Sequence, residues 1–292
     1  EFYWQEGHTA HATSKEAEEE TLRMLSVYAD FAIKEGAVPV IQGVKSESEK
    51  FAGAVQSTSI EAMMGDTRAL QAGTSHFLGQ NFAKAFNIQY LDTNNTLQYV
   101  WTTSWGLSTR FIGAIIMTHG DDQGLILPPR LAPIQAVIVP IYKNDTERSA
   151  VMPVVERIKA ELAEFRLKVD DRTEVTPGFK FNDWEMRGVP LRIEIGPKDV
   201  EKGSVAFARR DTLRAGREGK SFVPQAGIAD TVRQTLDGIQ SSMLAKATAF
   251  RDANIHEPKS YDELKEVVTN GWAFSWWCGD KACESKVKED TK

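Results

Sequence analysis

The 292-residue sequence has little cysteine, no long apolar run and no excess of positive charge. Its two cysteines, Cys278 and Cys283, are too few for a disulfide framework and suit a reducing compartment. No apolar run approaches the roughly 20 residues that a membrane-spanning helix needs. The formal net charge of −6 argues against a protein that coats nucleic acid by bulk charge. We therefore expect no membrane partner and no DNA partner.

The composition that is present, with 41% hydrophobic and 26% charged residues, is that of a globular protein of about two domains. The first residue is Glu1 rather than methionine, and no basic-then-apolar leader follows it. We therefore expect this sequence to be an internal piece of a longer chain.

Up to residue 127 the sequence favours strands packed against a few helices. A capping-box pattern at Thr13–Glu16 opens a helix with apolar residues at helical spacing, namely Leu22, Leu25, Tyr28 and Ala32. Alternating strand patterns follow, with further helices near 82–86 and 110–118. Since strands and helices do not alternate as βαβ units, the pattern predicts an antiparallel α+β layer over residues 1–127.

After Pro128-Pro129 strands and helices alternate, which predicts a small open α/β sheet over residues 128–222. The strands are predicted at 134–141, 167–169, 191–195 and 204–208, and the helices at 147–165 and 179–187. Two more helices, 228–254 and 261–269, lead to an aromatic segment and the cysteine pair. We expect residues 223–292 to form a third, small C-terminal domain.

One face of the first strand carries chemistry-bearing side chains at a period of two, Phe2, Trp4, Glu6 and His8. Aromatic faces beside a carboxylate make a pocket for a small apolar cation. The alternative is an ordinary half-buried strand. The pair His8 and His11 lacks the His-Glu-x-x-His arrangement, so we do not expect a zinc hydrolase.

Two further segments suit a nucleotide. In residues 71–76 a glycine beside Thr74 and Ser75 lets the backbone approach a phosphate or ribose, although a turn with satisfied hydroxyls is the alternative. In residues 104–110 a strand passes through glycine into a helix that opens with Arg110. An arginine there can form a bidentate pair with phosphate oxygens. An ordinary surface arginine is the alternative.

Taken together, these motifs resemble prolyl-tRNA synthetase of the archaeal/eukaryotic-like type, a family of class II aminoacyl-tRNA synthetases. The matching stretches, in chain order, are Trp-Gln-Glu-Gly-His-Thr-Ala-His (4–11), Gln-Ala-Gly-Thr-Ser-His-Phe-Leu-Gly-Gln-Asn-Phe (71–82), Ser-Trp-Gly-Leu-Ser-Thr-Arg (104–110), Thr-His-Gly-Asp-Asp-Gln-Gly-Leu (118–125) and Leu-Pro-Pro-Arg-Leu-Ala-Pro (127–133). The resemblance implies part of a class II catalytic domain at 1–127, an α/β anticodon-binding domain at 128–222 and part of a zinc-binding domain at 223–292.

The resemblance also implies an activity: ATP-dependent attachment of L-proline to tRNA-Pro through prolyl-adenylate, with Mg²⁺, in a cytoplasmic homodimer. It implies that six residues bind proline, namely Phe2, Trp4, Glu6, His8, His76 and Ser108. It further implies that Gln71, Thr74 and Arg110 bind ATP, with Arg110 as the catalytic residue.

For the later domains the resemblance implies guanine readers in the anticodon domain and half of a structural zinc site. The readers would be Glu185, Arg192, Lys198 and Asp199, since carboxylates accept from guanine N–H groups and cations donate to O6 and N7. Residues 178–220 hold ten Lys/Arg against seven Asp/Glu, a local charge of +3. Cys278 and Cys283 would supply two of four zinc thiolates, and two unligated thiols are the alternative.

Two departures from the family limit these expectations. Motif 1 and the motif 2 arginine would lie upstream of Glu1, so a polypeptide of these residues alone is expected to be inactive. Only 94 residues separate His11 from Gly106, too few for the editing domain that bacterial-type relatives insert there. A non-catalytic RNA-binding descendant and a class II synthetase for another amino acid remain as alternatives.

Overall fold

The structure, a computed structural model, describes residues 2–212 and 219–291. It divides into two compact units. The first consists of Glu1–Lys34, Val38–Thr118 and Ala247–Lys292, and the second of Glu35–Ala37 and His119–Lys246.

The first unit is built on a five-stranded antiparallel sheet, as the sequence predicted. Its elements up to residue 119 are β1 (Trp4–His11), α1 (Ser14–Lys34), β2 (Val40–Val44), β3 (Gln56–Met63), β4 (Ala69–Gly79), α2 (Asn81–Ala85), β5 (Gln89–Leu91), β6 (Leu97–Tyr99), β7 (Trp101–Ser108) and α3 (Arg110–His119). The strand order is β1-β7-β4-β3-β2, and β5 and β6 form a separate hairpin.

Helix α1 begins with the predicted capping box. The Thr13 hydroxyl accepts the Glu16 N–H at 3.2 Å, and the Thr13 N–H donates to the Glu16 carboxylate at 3.1 Å. Leu25, Tyr28 and Ala32 are buried as expected, whereas Leu22 is 54% exposed, so its predicted place on the apolar face is wrong. The buried face of α1 begins instead with Ala17 and Thr21, and Thr21 directly precedes Leu22.

Tyr28 connects α1 to the first strand. Its hydroxyl donates to the Gln5 side-chain oxygen at 2.5 Å. Burial, followed by the negative charge of Glu6, raises the pKa of Tyr28 to about 12, so the phenol stays protonated and keeps its donor at neutral pH. The hydrogen bond therefore fixes β1 at Gln5, the residue directly before Glu6.

Strands β1 and β7 approach each other closely where Gly7 pairs with Trp105. A Cβ atom placed on Gly7 would lie 2.3 Å from Cε2 of the Trp105 indole. Only glycine leaves room for this ring without displacing it.

The second unit contains a mixed five-stranded sheet. Its elements are β8 (Ala136–Pro140), α4 (Asp145–Glu161), β9 (Leu167–Val169), α5 (Pro177–Met186), β10 (Leu191–Ile195), α6 (Pro197–Lys202), β11 (Ser204–Arg209), β12 (Lys220–Pro224) and the first part of α7 (Ile228–Ala253). The strand order is β12-β11-β10-β8-β9, with β9, β8 and β10 parallel. Strand β11 returns antiparallel, because the eight residues 196–203 are too few for a parallel crossover.

The continuous apolar run of β8 is explained by its cover on both faces. Ala136 and Ile138 belong to the core under α4 and α7, while Val137 and Val139 pack with Trp184 of α5. A strand buried on both sides needs no polar alternation.

The C-terminal residues add β13 (Ile255–His256), α8 (Tyr261–Val267), β14 (Trp272–Ala273) and α9 (Lys281–Asp290) to the first unit. The indole N–H of Trp272 donates to the Thr67 carbonyl at 2.8 Å. Residues 223–246 pack with the second unit and residues 247–292 with the first, and the division at 128 and 223 stays a prediction. Among the helices of the described residues, none is long and apolar enough to span a membrane.

Candidate active site

A cavity of about 870 Å³ opens on one face of the antiparallel sheet. All nine residues that the sequence predicted to bind proline or ATP line it. They come from the segment before β1, from three strands and from the start of α3: Phe2, Trp4, Glu6, His8, Gln71, Thr74, His76, Ser108 and Arg110. The structure thus brings together residues that are up to 108 positions apart in the sequence.

Strand register explains why these side chains meet. Directly paired residues face the same side of a sheet, and Glu6 pairs with Gly106, which pairs with Thr74. The next row runs from His8 through Ser104 to His76. Since Gly106 has no side chain, the space between Glu6 and Thr74 stays open.

A β-bulge adds Gln71 to the same face. Residues three apart in a regular strand, such as Gln71 and Thr74, would point to opposite sides. Here Ile60 pairs with Gly73 but Glu61 pairs with Gln71, so Ala72 is an extra residue in β4. Both predicted ATP ligands therefore face the cavity.

The proline side of the cavity lies along the edge strand β1. The Glu6 carboxylate is 3.5 Å from Nε2 of His8, and its side chain is 42% exposed. The rings of Phe2 and Trp4 meet edge to face with centroids 6.0 Å apart. Trp4 is 65% exposed, because nothing among the described residues covers the outer side of this strand.

His76 forms the inner wall of the cavity. Its Nδ1 lies 2.8 Å from the Ser57 hydroxyl, and its ring packs against Phe51 with centroids 5.0 Å apart. Burial, assisted by the charge of Lys45, lowers the pKa of His76. The imidazole is therefore neutral at pH 7 and can offer one ring nitrogen as a donor and the other as an acceptor.

Arg110 stands at the first turn of α3, exposed to solvent at the mouth of the cavity. The Arg110 backbone N–H donates to the Ser108 hydroxyl at 3.2 Å. Ser108 thus satisfies one of the helix-start donors, and the guanidinium remains available to an anion that enters the cavity.

Two charged residues beside the nucleotide side were missed by the sequence analysis. The Lys45 ammonium donates to the Gln71 side-chain oxygen. Glu61, opposite Gln71, accepts from the Ser59 hydroxyl at 2.7 Å, and burial raises the pKa of its carboxyl although Lys45 and Arg110 oppose the shift. No alternation of polar and apolar residues singles out Glu61, because residues 56–59 are all polar.

In the second unit the predicted guanine readers fall into two groups. Arg192 is buried, with 4% exposure, and donates to Glu185 and, at 3.0 Å, to Glu194. Its guanidinium also lies over the Phe181 ring, 4.1 Å from the centroid. The Nε and Nη1 atoms of Arg192 thus donate within the protein, and Nη1 fixes the carboxylate of Glu185.

Lys198 and Asp199 lie on α6. Asp199 accepts the Gly196 N–H at 2.9 Å, as part of the helix start, while Lys198 is exposed. Within residues 2–212 and 219–291 no hydrogen bond or ion pair joins either residue to the Arg192–Glu185 pair. The basic stretch 178–220 includes residues 213–218, which lie outside the described residues.

Cys278 and Cys283 are both exposed, on either side of the start of α9. The neighbouring Cys278 thiol is the main cause that raises the pKa of Cys283. The described part of the chain contains no group of three or more His, Cys, Asp or Glu side chains that could hold a metal ion. A structural zinc ion takes four ligands, so the role of the two cysteines in such a site stays a prediction.

Two family models match the chain. The model described as tRNA synthetase class II core domain (G, H, P, S and T) matches residues 1–119, and the one described as anticodon binding domain matches residues 135–222. The first contains the cavity and the second contains the buried Arg192–Glu185 pair.

Curated relatives match the whole chain. Proline--tRNA ligase of Chloroflexus aurantiacus is 62% identical over 294 residues, which cover 100% of this chain and 61% of the relative. The chloroplastic/mitochondrial proline--tRNA ligase of Arabidopsis thaliana is 54% identical over 297 residues, 100% of this chain and 54% of the relative. The chain thus spans about three fifths of the length of these relatives.

A solved structure agrees with the sequence matches. Prolyl-tRNA synthetase from Cryptosporidium parvum, complexed with L-proline and AMP, superposes with a TM-score of 0.92 at 41% identity, covering 99% of this chain and 62% of that one. Fold, core domain, anticodon domain and full-length similarity agree, and the chain belongs to the prolyl-tRNA synthetase family of class II tRNA synthetases.

Proposed function

We propose that the protein containing this chain attaches L-proline to tRNA-Pro with ATP, through prolyl-adenylate. One observation carries the proposal: the nine side chains expected to bind proline and ATP line a single cavity. The relative from Cryptosporidium parvum, whose structure was solved with L-proline and AMP, supports the choice of both ligands.

At the proline side, Glu6 receives the two N–H donors of the prolinium ion, and the aromatic faces of Phe2 and Trp4 border the pyrrolidine ring. His76 and His8 lie in the next row of the sheet, and Ser108 lies opposite Trp4. The neutral state of His76 supports this role, because a second cation beside the prolinium ion would repel it.

At the nucleotide side, Gln71 and Thr74 offer an amide and a hydroxyl to ATP, and Arg110 binds its phosphate oxygens. The proline carboxylate oxygen attacks the α-phosphorus, a new P–O bond forms, and pyrophosphate leaves with the electron pair of the broken bond. Arg110 neutralises charge on the phosphates while this occurs, so catalysis is mainly positioning and charge stabilisation.

The family resemblance implies that Mg²⁺ binds together with ATP, and its ligands would lie near Gln71. Glu61 and Gln71 face each other across β3 and β4, and carboxylate and amide oxygens are the ligand types that Mg²⁺ takes alongside substrate phosphates. Bound there, the ion would neutralise phosphate charge. Lys45, which donates to Gln71, would then be a second cation near the phosphates.

The remaining parts of the proposal concern the whole protein. The α/β unit would read the anticodon of tRNA-Pro through Glu185, Arg192, Lys198 and Asp199. Cys278 and Cys283 would hold a structural Zn²⁺ together with two more ligands. The protein would be a cytoplasmic homodimer, with no editing domain inserted between residues 12 and 105.

Proline-dependent ATP–pyrophosphate exchange by the full-length protein tests the activity. We expect exchange with proline above that with threonine or glycine. We also expect a loss of about 100-fold or more in kcat/KM for proline in Glu6→Gln, since the buried side of the prolinium ion loses its counter-charge. Absence of exchange would indicate a non-catalytic RNA-binding descendant, and stronger exchange with another amino acid would indicate a different synthetase.

A further inference from the structure

The C-terminal helix α9 contacts the loop between β2 and β3, residues 45–55, at several successive positions. The Glu284 carboxylate accepts from the Ser46 hydroxyl at 2.7 Å and from the Ser48 hydroxyl. The Lys288 ammonium lies 2.5 Å from the Glu49 carboxylate and 3.3 Å from the Ser48 hydroxyl. Residues 236 to 240 positions apart in the sequence thus form one polar cluster.

The two helix residues form a unit of their own. Glu284 and Lys288 are four residues apart, so they lie on the same side of α9, with 3.1 Å between ammonium and carboxylate. The Glu284 side chain is only 12% exposed, although the helix as a whole is solvent-exposed. A carboxylate turned inward from an exposed helix indicates a specific docking contact.

The loop that receives α9 carries Phe51, which lines the cavity, and Lys45, which contacts the lining residue Gln71. At its start Lys45 donates to Gln71, and six residues later Phe51 packs against His76. The serines and Glu49 that contact α9 lie between these two positions. Ordering a loop of this length costs free energy, because each residue loses backbone conformational freedom. A contact in its middle reduces the freedom of both ends.

We propose that α9 braces the loop of residues 45–55, with Glu284 and Lys288 as positioning residues that hold Lys45 beside Gln71 and Phe51 against His76. This inference rests on the proposed function, because it assigns the contact a role in binding ATP. Neither residue touches the cavity, so both act through the loop.

The test compares Glu284→Ala with Glu289→Ala in the full-length protein. Glu289 is exposed on the same helix and lies on a different side from the loop contact. We expect Glu284→Ala to raise the KM for ATP about three- to tenfold in pyrophosphate exchange, with less change in kcat, and Glu289→Ala to leave it unchanged. Glu284→Gln keeps an acceptor oxygen and should recover part of the affinity.

A second readout needs no substrate. Amide hydrogen exchange over residues 45–55 should be faster in Glu284→Ala than in Glu289→Ala. If Glu284→Ala does not fold, the double variant Ser46→Ala/Ser48→Ala, which leaves α9 intact, decides by the same two measurements. Equal hydrogen exchange and equal KM for ATP in the variant and its control would overturn the brace. Lack of proline-dependent exchange in the unmodified protein would instead overturn the proposed function.

Discussion

Gly106 occupies the centre of the cavity floor, between Glu6 and Thr74. A Cβ atom added there meets only the Gln5 carbonyl, at 3.8 Å, so the backbone tolerates it. The atom would instead take up space that the substrates need. The shape of this cavity depends on a missing side chain as much as on those present.

We predict that Gly106→Ala lowers substrate affinity without loss of stability. The KM for proline or ATP should rise about tenfold, since a methyl group in a tight site costs on the order of 1–3 kcal/mol. Gly43→Ala is the control, because a Cβ on Gly43 meets nothing within 4 Å. Steady-state exchange kinetics and urea unfolding measure the two effects, and equal KM values in both variants would contradict the prediction.

Elements, rather than single residues, explain where the sequence analysis succeeded. Period-two alternation predicted that Trp4, Glu6 and His8 share one face of a strand, and in β1 all three line the cavity. Spacing could not place Gln71 and Thr74 together, because the bulge at Ala72 depends on how β4 pairs with β3. The prediction that the nine residues form one site came from the family resemblance. The strand register is the physical reason why their side chains meet.

Other features of the fold could not be predicted from the sequence. The antiparallel direction of β11 follows from the short connection after β10 and was not predicted. Lys45 and Glu284 were overlooked because each is an ordinary surface-type residue in the sequence, and only the folded chain brings their segments together.

The end of α3 gives the chain a pH response. His119 lies 3.3 Å from the Gly36 carbonyl, and burial lowers the pKa of His119 to about 4. In the unfolded chain its pKa is about 6.5, so the unfolded state binds more protons below that pH. The stability that the neutral ring contributes is present above pH 6.5 and is lost as the pH falls towards 4.

We therefore expect the free energy of unfolding to fall between pH 7 and pH 5 by about 2 kcal/mol more in the unmodified protein than in His119→Gln. Denaturant unfolding at both pH values measures this difference. Glutamine keeps an N–H donor for the Gly36 carbonyl but does not titrate in this range. Parallel pH dependence in the two proteins would show that His119 is not the responsible group.

At the scale of the whole molecule, the proposed function divides between the two units. The antiparallel sheet of the first unit holds the cavity, and the second unit contains the expected anticodon readers on α5, β10 and α6. If the proposed function is correct, pyrophosphate exchange, which needs no tRNA, should report on the first unit alone, and aminoacylation should need both units.

Lys198 tests this separation, because it is the one expected reader that is fully exposed on its helix. Lys198→Ala should raise the KM for tRNA-Pro about tenfold, given the 1–3 kcal/mol of a base contact, and leave pyrophosphate exchange unchanged. Lys202→Ala, an exposed lysine on the same helix, is the matched control. An equal loss in both variants would point to general phosphate attraction instead of base reading.

The close fit of Gly7 under the Trp105 indole affects how mutational data on this protein should be interpreted. Substituting either position alone leaves a clash or a void between β1 and β7, so a scan of single variants would record both as intolerant. Such intolerance would reflect the joining of two strands and would not identify a catalytic group. Only paired replacements, a larger residue at 7 with a smaller one at 105, would distinguish packing from chemistry.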